Sequence, residues 1–391
     1  MVNQLVTFMV VAVLACLPSI IAAPTPRSYP NTTSFPVVDK WLQNQCPGKY
    51  PPNRCNDYNI RVRKDFQSMQ PQERKAYTDA VKCLMTKPSQ LDQTLYPAAT
   101  NRFLDYAVIH VNRTREVHLS GFFLTWHRYF LWLYEHDLET QCGYTGAFPY
   151  WNWPATADNL HGSAVFDGSE YSMSGDGIYE DTGPVVLSDT LSLPHGSGGG
   201  CVTTGPFANL EVTMQVIPIQ YVIEGLDLPP TAFQKNVSCL TRDLNTYAAQ
   251  TYTNYDLLNQ AMNSPNISDF TTQINGVFGG DALGLHSGAH FVVGSPASSL
   301  YVSPMDPIWY LLHTMLDNVY TSWQLRHPDQ ANLLFGTNTA VNLPPSPSTT
   351  LDTPEPDWSY LGWEKDPGEI LVGELMSTTS GPFCYKYDVA F

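Results

Sequence analysis

Positive charge is scarce in this sequence. Twenty lysines and arginines stand against 36 aspartates and glutamates in 391 residues, a net charge of −16, and no basic run occurs. Such a surface repels nucleic acid and anionic lipid, so no nucleic-acid partner is expected. Long apolar runs are also rare. One near the N-terminus is too short for a good membrane span and no other segment approaches one, so no membrane partner is expected either. No C-x-x-C pair is present, which sets aside zinc knuckles and dithiol redox motifs. There is no internal repeat and no charged low-complexity tract, which excludes a solenoid or an interaction tail. Disorder is excluded by what remains, since 43% of the residues are hydrophobic and 12% aromatic.

The N-terminal apolar run, Leu5 to Leu17, is followed by the small pair Ala22–Ala23 and then by Pro24 and Pro26. It reads as a signal peptide over residues 1–23 and predicts a secreted, extracellular protein. Four N-x-S/T tripeptides, at Asn31, Asn112, Asn236 and Asn266, fit a glycoprotein. Of eight cysteines, Cys16 falls in the signal peptide, leaving seven. Secretion favours disulfides, and the odd count leaves one thiol over, with the pairing open. Helical periodicity is read over 65–85, 101–111, 121–143, 241–263, around 281–292 and over 304–327. The segment 121–143 is apolar on most of its circumference, as suits a helix in the middle of a core. Residues 154–207 are Gly/Ser-rich and read as a surface insertion. Residues 328–391 are Pro-rich and read as coil packing back on the body. The expectation is one domain over 24–391, with no C-terminal lid domain.

Histidine carries the chemistry. His286 and His290 in "GLHSGAHFVVG" lie one helical turn apart, as in the zinc-protease motif H-E-x-x-H, but Ser287 stands where that motif has its glutamate. His110, His118 and His127 have seven and eight residues between them. His127 and His313 lie within the apolar stretches "FLTWHRYF" and "DPIWYLLHTMLD". Burying an imidazole costs free energy unless its nitrogens are paired or metal-bound. Packing alone is a poor account of six such residues. Two groups of three histidines, without cysteine or a nearby carboxylate, point to copper or zinc held between the facing helices of a bundle. His136, His161, His195 and His327 lie on other faces, in the Gly-rich segment or at a helix end, and are read as ordinary packing or surface residues. Asp105, Asp306 and Asp317 lie beside the ligand helices. They are expected either to orient ligand N–H groups or to serve as helix caps and surface charge.

In its wording the chain resembles the tyrosinase, catechol oxidase and haemocyanin family of coupled binuclear copper proteins, and within it the short secreted fungal polyphenol oxidases. The resemblance runs over "DYAVIH", "EVHLSG", "FFLTWHRYFLWLYE", "FPYWNWPA", "GLHSGAHFVVG" and "SPMDPIWYLLHTMLD", covering roughly residues 55–390. It implies a mainly α fold, with a central four-helix bundle holding a dinuclear copper site, wrapped by long loops and a few short strands. It implies two copper ions, one on His110, His118 and His127 and one on His286, His290 and His313. The partners it implies are a small phenolic substrate and O2. Hydroxylating relatives hold a water with an Asn just after the first ligand of the second copper and a Glu upstream; here those positions are Ser287 and Asn275. Leu300 falls at the gate over the site, and Phe291, after His290, is expected to shape the pocket. Glu116 stands where relatives with a thioether bridge carry cysteine, and Leu312 replaces the first member of a His–His pair. The resemblance therefore implies a secreted polyphenol oxidase of the catechol oxidase or o-aminophenol oxidase type, with weak or no monophenol hydroxylation. Alternatives kept open are a pathway enzyme for one dedicated phenolic metabolite, a tyrosinase with full monophenolase activity, a non-catalytic oxygen carrier and a zinc protein.

Overall fold

The computed structural model describes residues 55–277, 279–356 and 370–391. The expected signal peptide, Asn31 and Cys46 lie outside these residues. Local sequence explains where the helices start and stop. Helix α1 (Pro71–Thr86) opens with a proline where no N–H is needed, and Glu73 reaches back to the Gln70 N–H at 2.8 Å. Helix α2 (Arg102–Val117) is capped by Asn101, whose side chain accepts from the Leu104 N–H at 3.0 Å. Helix α3 (Phe123–Cys142) ends at Gly143 in the left-handed region, φ 68°. The periodicity over 241–263 resolves into two helices, α4 (Thr246–Tyr252) and α5 (Tyr255–Met262). Asn254 breaks the run by capping the second, accepting from Leu257 N–H. Helices α6 (Ile267–Asn275), α7 (Leu285–Val293) and α8 (Ile308–Arg326) follow.

Helices α2, α3, α7 and α8 pack together as the expected four-helix core. All but the last two residues of α8 are buried. Its N-terminus is held by Asp306, whose carboxylate accepts from Ile308 N–H and forms a two-pronged pair with Arg242 at 2.7 and 2.8 Å. Arg242 also donates to the carbonyls of Met173, Ser174 and Gly175. This contact corrects the reading of residues 154–207 as a surface insertion. Leu160, Val165, Phe166, Met173, Val202 and Phe207 within the segment are buried, and Phe166 packs edge-on against Trp151.

Three short strands form one parallel sheet, with β1 (Arg61–Asp65) between β2 (Pro149–Tyr150) and β3 (Tyr385–Tyr387). Asp65 faces Tyr150 in register and Arg63 faces Tyr387. Beneath the sheet lies a buried charge cluster. Arg63 pairs with Glu135 on α3 at 2.7 Å and lies over the Tyr385 ring at 3.5 Å. Asp317 on α8 accepts from Arg128 at 2.6 Å, from Arg63 at 3.4 Å, and from the hydroxyls of Tyr385 and Tyr387. Disulfides join Cys55 to Cys384, Cys83 to Cys142 and Cys201 to Cys239. Among the described residues no helix is long and apolar enough to cross a membrane.

Candidate metal centre

The four core helices bring the six histidines to one place. His110 faces inward from the middle of α2, and His118 is the first residue past that helix, in an extended conformation. Leu119, which follows, has φ 50°, a left-handed conformation that costs an L residue roughly 1–2 kcal/mol and turns the chain sharply beside the site. His127 lies on α3, His286 and His290 on α7, and His313 on α8. The candidate ligand nitrogens of His110, His118 and His127 lie within 4.8 Å of one another, as do those of His286, His290 and His313. The two triads adjoin, with the rings of His127 and His313 stacked 4.8 Å apart. Trp309 covers His313 at 3.9 Å.

Glycine explains part of the "GLHSGAH" wording. A Cβ at Gly288 would lie 2.4 Å from the Cβ of Tyr252 on α4. Only glycine lets α7 approach α4 this closely, and that approach aims His286 and His290 at His313.

Five of the six rings have their tautomer fixed by an oxygen acceptor at Nδ1. The acceptor is Tyr301 O for His110 at 2.7 Å, Thr114 O for His118 at 3.1 Å and Phe123 O for His127 at 2.6 Å. It is Ala297 O for His290 at 2.6 Å and the Asn275 side-chain oxygen for His286 at 3.2 Å. Each Nε2 is thus left as a bare lone pair. Burial holds all six rings neutral. It pushes His118 down to about 3 and His290 to about 4, and it holds His110, His127, His286 and His313 well below the usual imidazole range, with the neighbouring imidazoles adding to the effect.

These residues fit metal ions. The Nε2 atoms of His286, His290 and His313 form a triangle of 3.0, 3.1 and 3.3 Å sides, in which those of His286 and His290 are lone pairs by the tautomers just given. The centre of that triangle is about 1.8 Å from each nitrogen, close to the ~2.0 Å metal–imidazole distance. In the other triad, Nε2 of His110 and of His127 is buried without a hydrogen-bond partner among the described residues. Orphaned acceptors of this kind are costly unless a cation takes them.

Asp105, Asp306 and Asp317 do not orient the ligands. They pair with Arg102, Arg242, and Arg63 with Arg128, respectively, because buried guanidinium groups compete for them more strongly than an imidazole N–H does. The carbonyl acceptors at Thr114 and Phe123 follow from one-turn helical spacing. Those at Tyr301 and Ala297 come from a loop and leave no sequence signal. His136 stacks on Trp132, His327 on Trp323, His161 meets Ser197 and His195 meets the Glu180 carbonyl, all away from the centre.

A cavity of about 440 Å³ opens over His118, His286 and His290. Asn275, Ser287, Phe291 and Leu300 all line it. The Ser287 hydroxyl donates to the Asn275 backbone carbonyl at 2.7 Å.

Comparison with known proteins agrees with this geometry. Residues 100–326 match the common central domain of tyrosinase. Tyrosinase P of Aspergillus terreus is 35% identical over 88% of this chain and 96% of its own. N-acetyl-6-hydroxytryptophan oxidase of Emericella nidulans is 34% identical over 86% of this chain and 94% of its own. The structure of a single-residue mutant of a polyphenol oxidase from Thermothelomyces thermophila superposes with a TM-score of 0.78 at 33% identity, covering 90% of this chain and 96% of that one. With a family match over more than half its length and relatives a third identical across nearly all of theirs, this chain belongs to the tyrosinase family of copper oxidoreductases, whose two copper ions its paired imidazole triads fit.

Proposed function

We propose that the chain is a secreted polyphenol oxidase that converts o-diphenols and o-aminophenols to o-quinones and o-quinone imines with O2, and hydroxylates monophenols weakly or not at all. In this reading His110, His118 and His127 hold one copper, and His286, His290 and His313 the other. Bound there, the metal pair supplies the exchange of two electrons between the phenol and dioxygen. The protein's own part is to keep six imidazoles neutral and aimed, and to present the phenol's hydroxyls to them from the cavity. Asn275 orients His286, and Phe291 and Leu300 bound the space above the triads.

The observation that carries the choice of reaction is the chemistry around His286. Hydroxylating a monophenol requires removing a phenolic proton with a pKa of about 10, which calls for a positioned base or a base-held water. Ser287 spends its hydroxyl on the Asn275 carbonyl. The Asn275 side chain is engaged with His286, and among the described residues no carboxylate lines the cavity. An o-diphenol has a more acidic first proton and needs no new C–O bond. The test is oxygen uptake by copper-loaded protein on catechol, o-aminophenol and 4-methylphenol side by side. Rates on 4-methylphenol equal to those on catechol would overturn the reading. Ser287→Asn combined with Asn275→Glu should raise the monophenol rate at least tenfold, because the new Glu keeps an acceptor for His286 while adding a base.

A second reading, an oxidase for one dedicated phenolic metabolite, is favoured by the relative whose name specifies N-acetyl-6-hydroxytryptophan. Poor turnover across a panel of simple diphenols would support it. For secretion the support is the N-terminal apolar run and the three disulfides. Asn236 is the sequon best placed for a glycan, since it is exposed, whereas Asn266 uses its side chain to cap α6.

A further inference from the structure

The cavity is much larger than a single phenol ring needs. At about 440 Å³ it falls in the range that encloses a drug-sized ligand. Among the described residues none that lines it is Asp, Glu, Lys or Arg, although 14% of the chain is charged. Beyond the histidines its outer wall is aliphatic. The hairpin that pairs Val185–Val186 with Leu193–Ser192 contributes Leu187 and Leu191, and the segment before Gln220 contributes Val216, Ile217 and Ile219. Val216, Ile219 and Val277 expose 52, 38 and 66% of their surface at this rim. Apolar side chains so exposed around a concave opening mark a binding surface rather than a core. The hairpin turn is held by Leu187 N–H and Ser188 N–H, both donating to the Leu191 carbonyl, so the wall is preformed.

Resting on the phenol-oxidising reading above, we infer that the substrate is an uncharged o-diphenol or o-aminophenol with an extended apolar substituent, which lies along the wall of Leu187, Leu191, Ile217 and Ile219 while the ring hydroxyls reach the histidines. Simple amino-acid and carboxylic-acid phenols are poor substrates, because their charge would enter a cavity that offers it no partner.

The test is a set of matched substrates for the copper-loaded full-length protein: catechol, 4-methyl-, 4-butyl- and 4-hexylcatechol, and 3-(3,4-dihydroxyphenyl)propanoic acid beside its butyl ester. Each methylene laid on the wall is expected to raise kcat/KM roughly fourfold until the cavity is filled. The ester should exceed the acid by at least roughly 250-fold, about fourfold for each of four buried carbons with the removed charge adding to it. Calorimetric titration of the copper-loaded protein after reduction of both ions to the cuprous state under nitrogen, where the diphenol meets no oxidant, should rank the Kd values in the same order. Ile219→Arg, at the exposed rim, should shift the ester-to-acid ratio at least tenfold towards the acid. No dependence on chain length, equal use of acid and ester, or an unchanged ratio in Ile219→Arg would each overturn the inference. Failure to oxidise catechol or any of its 4-alkyl derivatives would instead overturn the function on which it rests.

Discussion

Replacing Asp317 with asparagine keeps the shape of the side chain and removes one buried negative charge. In the native protein Asp317 and Glu135 balance Arg63 and Arg128, and Arg61, which reaches Glu135 from the edge, is balanced by Glu139, so the cluster carries no net charge. The substitution leaves one positive charge uncompensated among buried aromatic rings, and the hydroxyls of Tyr385 and Tyr387 lose a charged acceptor. Arg128 keeps the carbonyls of Leu375 and Met376, which satisfy its N–H groups without neutralising it. Breaking a buried pair of this kind costs about 3–5 kcal/mol. With an unfolding entropy of roughly 0.7 kcal/mol/K for a body of this size, Tm should fall by about 4–7 °C. The assay is calorimetry of wild type and Asp317→Asn at equal copper loading, since bound metal raises Tm by itself. The pH dependence gives a second reading. Burial alone would raise the Asp317 carboxyl, but Arg128 and Arg63 outweigh it and hold the group below its ordinary value of 3.8. Its contribution is therefore complete above pH 3.8 and is lost as pH falls through the lower folded value. The gap between wild type and variant should be full at about pH 6 and shrink below about pH 3.8. A change in Tm under about 1 °C, or a gap indifferent to acid, would refute the charge-balance account.

Other expectations concern the metal centre and its surroundings. Gly288→Val forces α7 away from Tyr252, so copper per chain should drop from two towards one by elemental analysis; an unchanged stoichiometry would show that α7 tolerates the bulk. Asn275→Ala removes the acceptor of the His286 ring N–H and should weaken one of the two coppers roughly 10–100-fold, measured by competition with a chelator. Glu355 is buried beside Thr125, and burial outweighs the hydrogen bond from the Thr125 hydroxyl and pushes its carboxyl up from 4.5 to about 8. Its neutral form suits the fold. Stability should therefore decline as pH rises from about 4.5 to 8, and Glu355→Gln should flatten that decline in denaturant titrations; a parallel decline in both proteins would contradict this.

The metal centre was readable because helices report themselves locally. His127 and His313 stand in apolar runs, and His286 and His290 lie one turn apart, so burial and direction both follow from periodicity. The carbonyls of Tyr301 and Ala297 that fix two of the rings were not readable, because a backbone oxygen leaves no mark in the amino-acid code. Of the two roles kept open for the aspartates, orienting the ligands fails, while Asp306 does cap α8 through the Ile308 N–H. Asp306 is adjacent to the ligand helix, but its partner Arg242 lies 64 residues away and is brought in by a segment that composition alone presents as a loose loop. The sheet was hidden too, since its strands are two to five residues long and come from opposite ends of the chain. The aliphatic wall over the site is assembled from a hairpin and a coil whose sequences look like surface until they face the cavity.

The bond between Cys55 and Cys384 spans 329 positions. It turns almost the whole described body into a covalent ring, with the Cys83–Cys142 and Cys201–Cys239 loops nested inside. On the chain-entropy account, closing a ring this long restricts the unfolded chain by roughly 6 kcal/mol. A ring also answers proteolysis differently from a line. A single cut anywhere between the two cysteines releases no fragment, and both new ends stay tethered to a core that still holds its six imidazoles. A nicked molecule would therefore migrate as one species without reductant and separate into two with it, while keeping its metal. On the secretion proposed above, the first cut by an extracellular protease changes connectivity without dismantling the site.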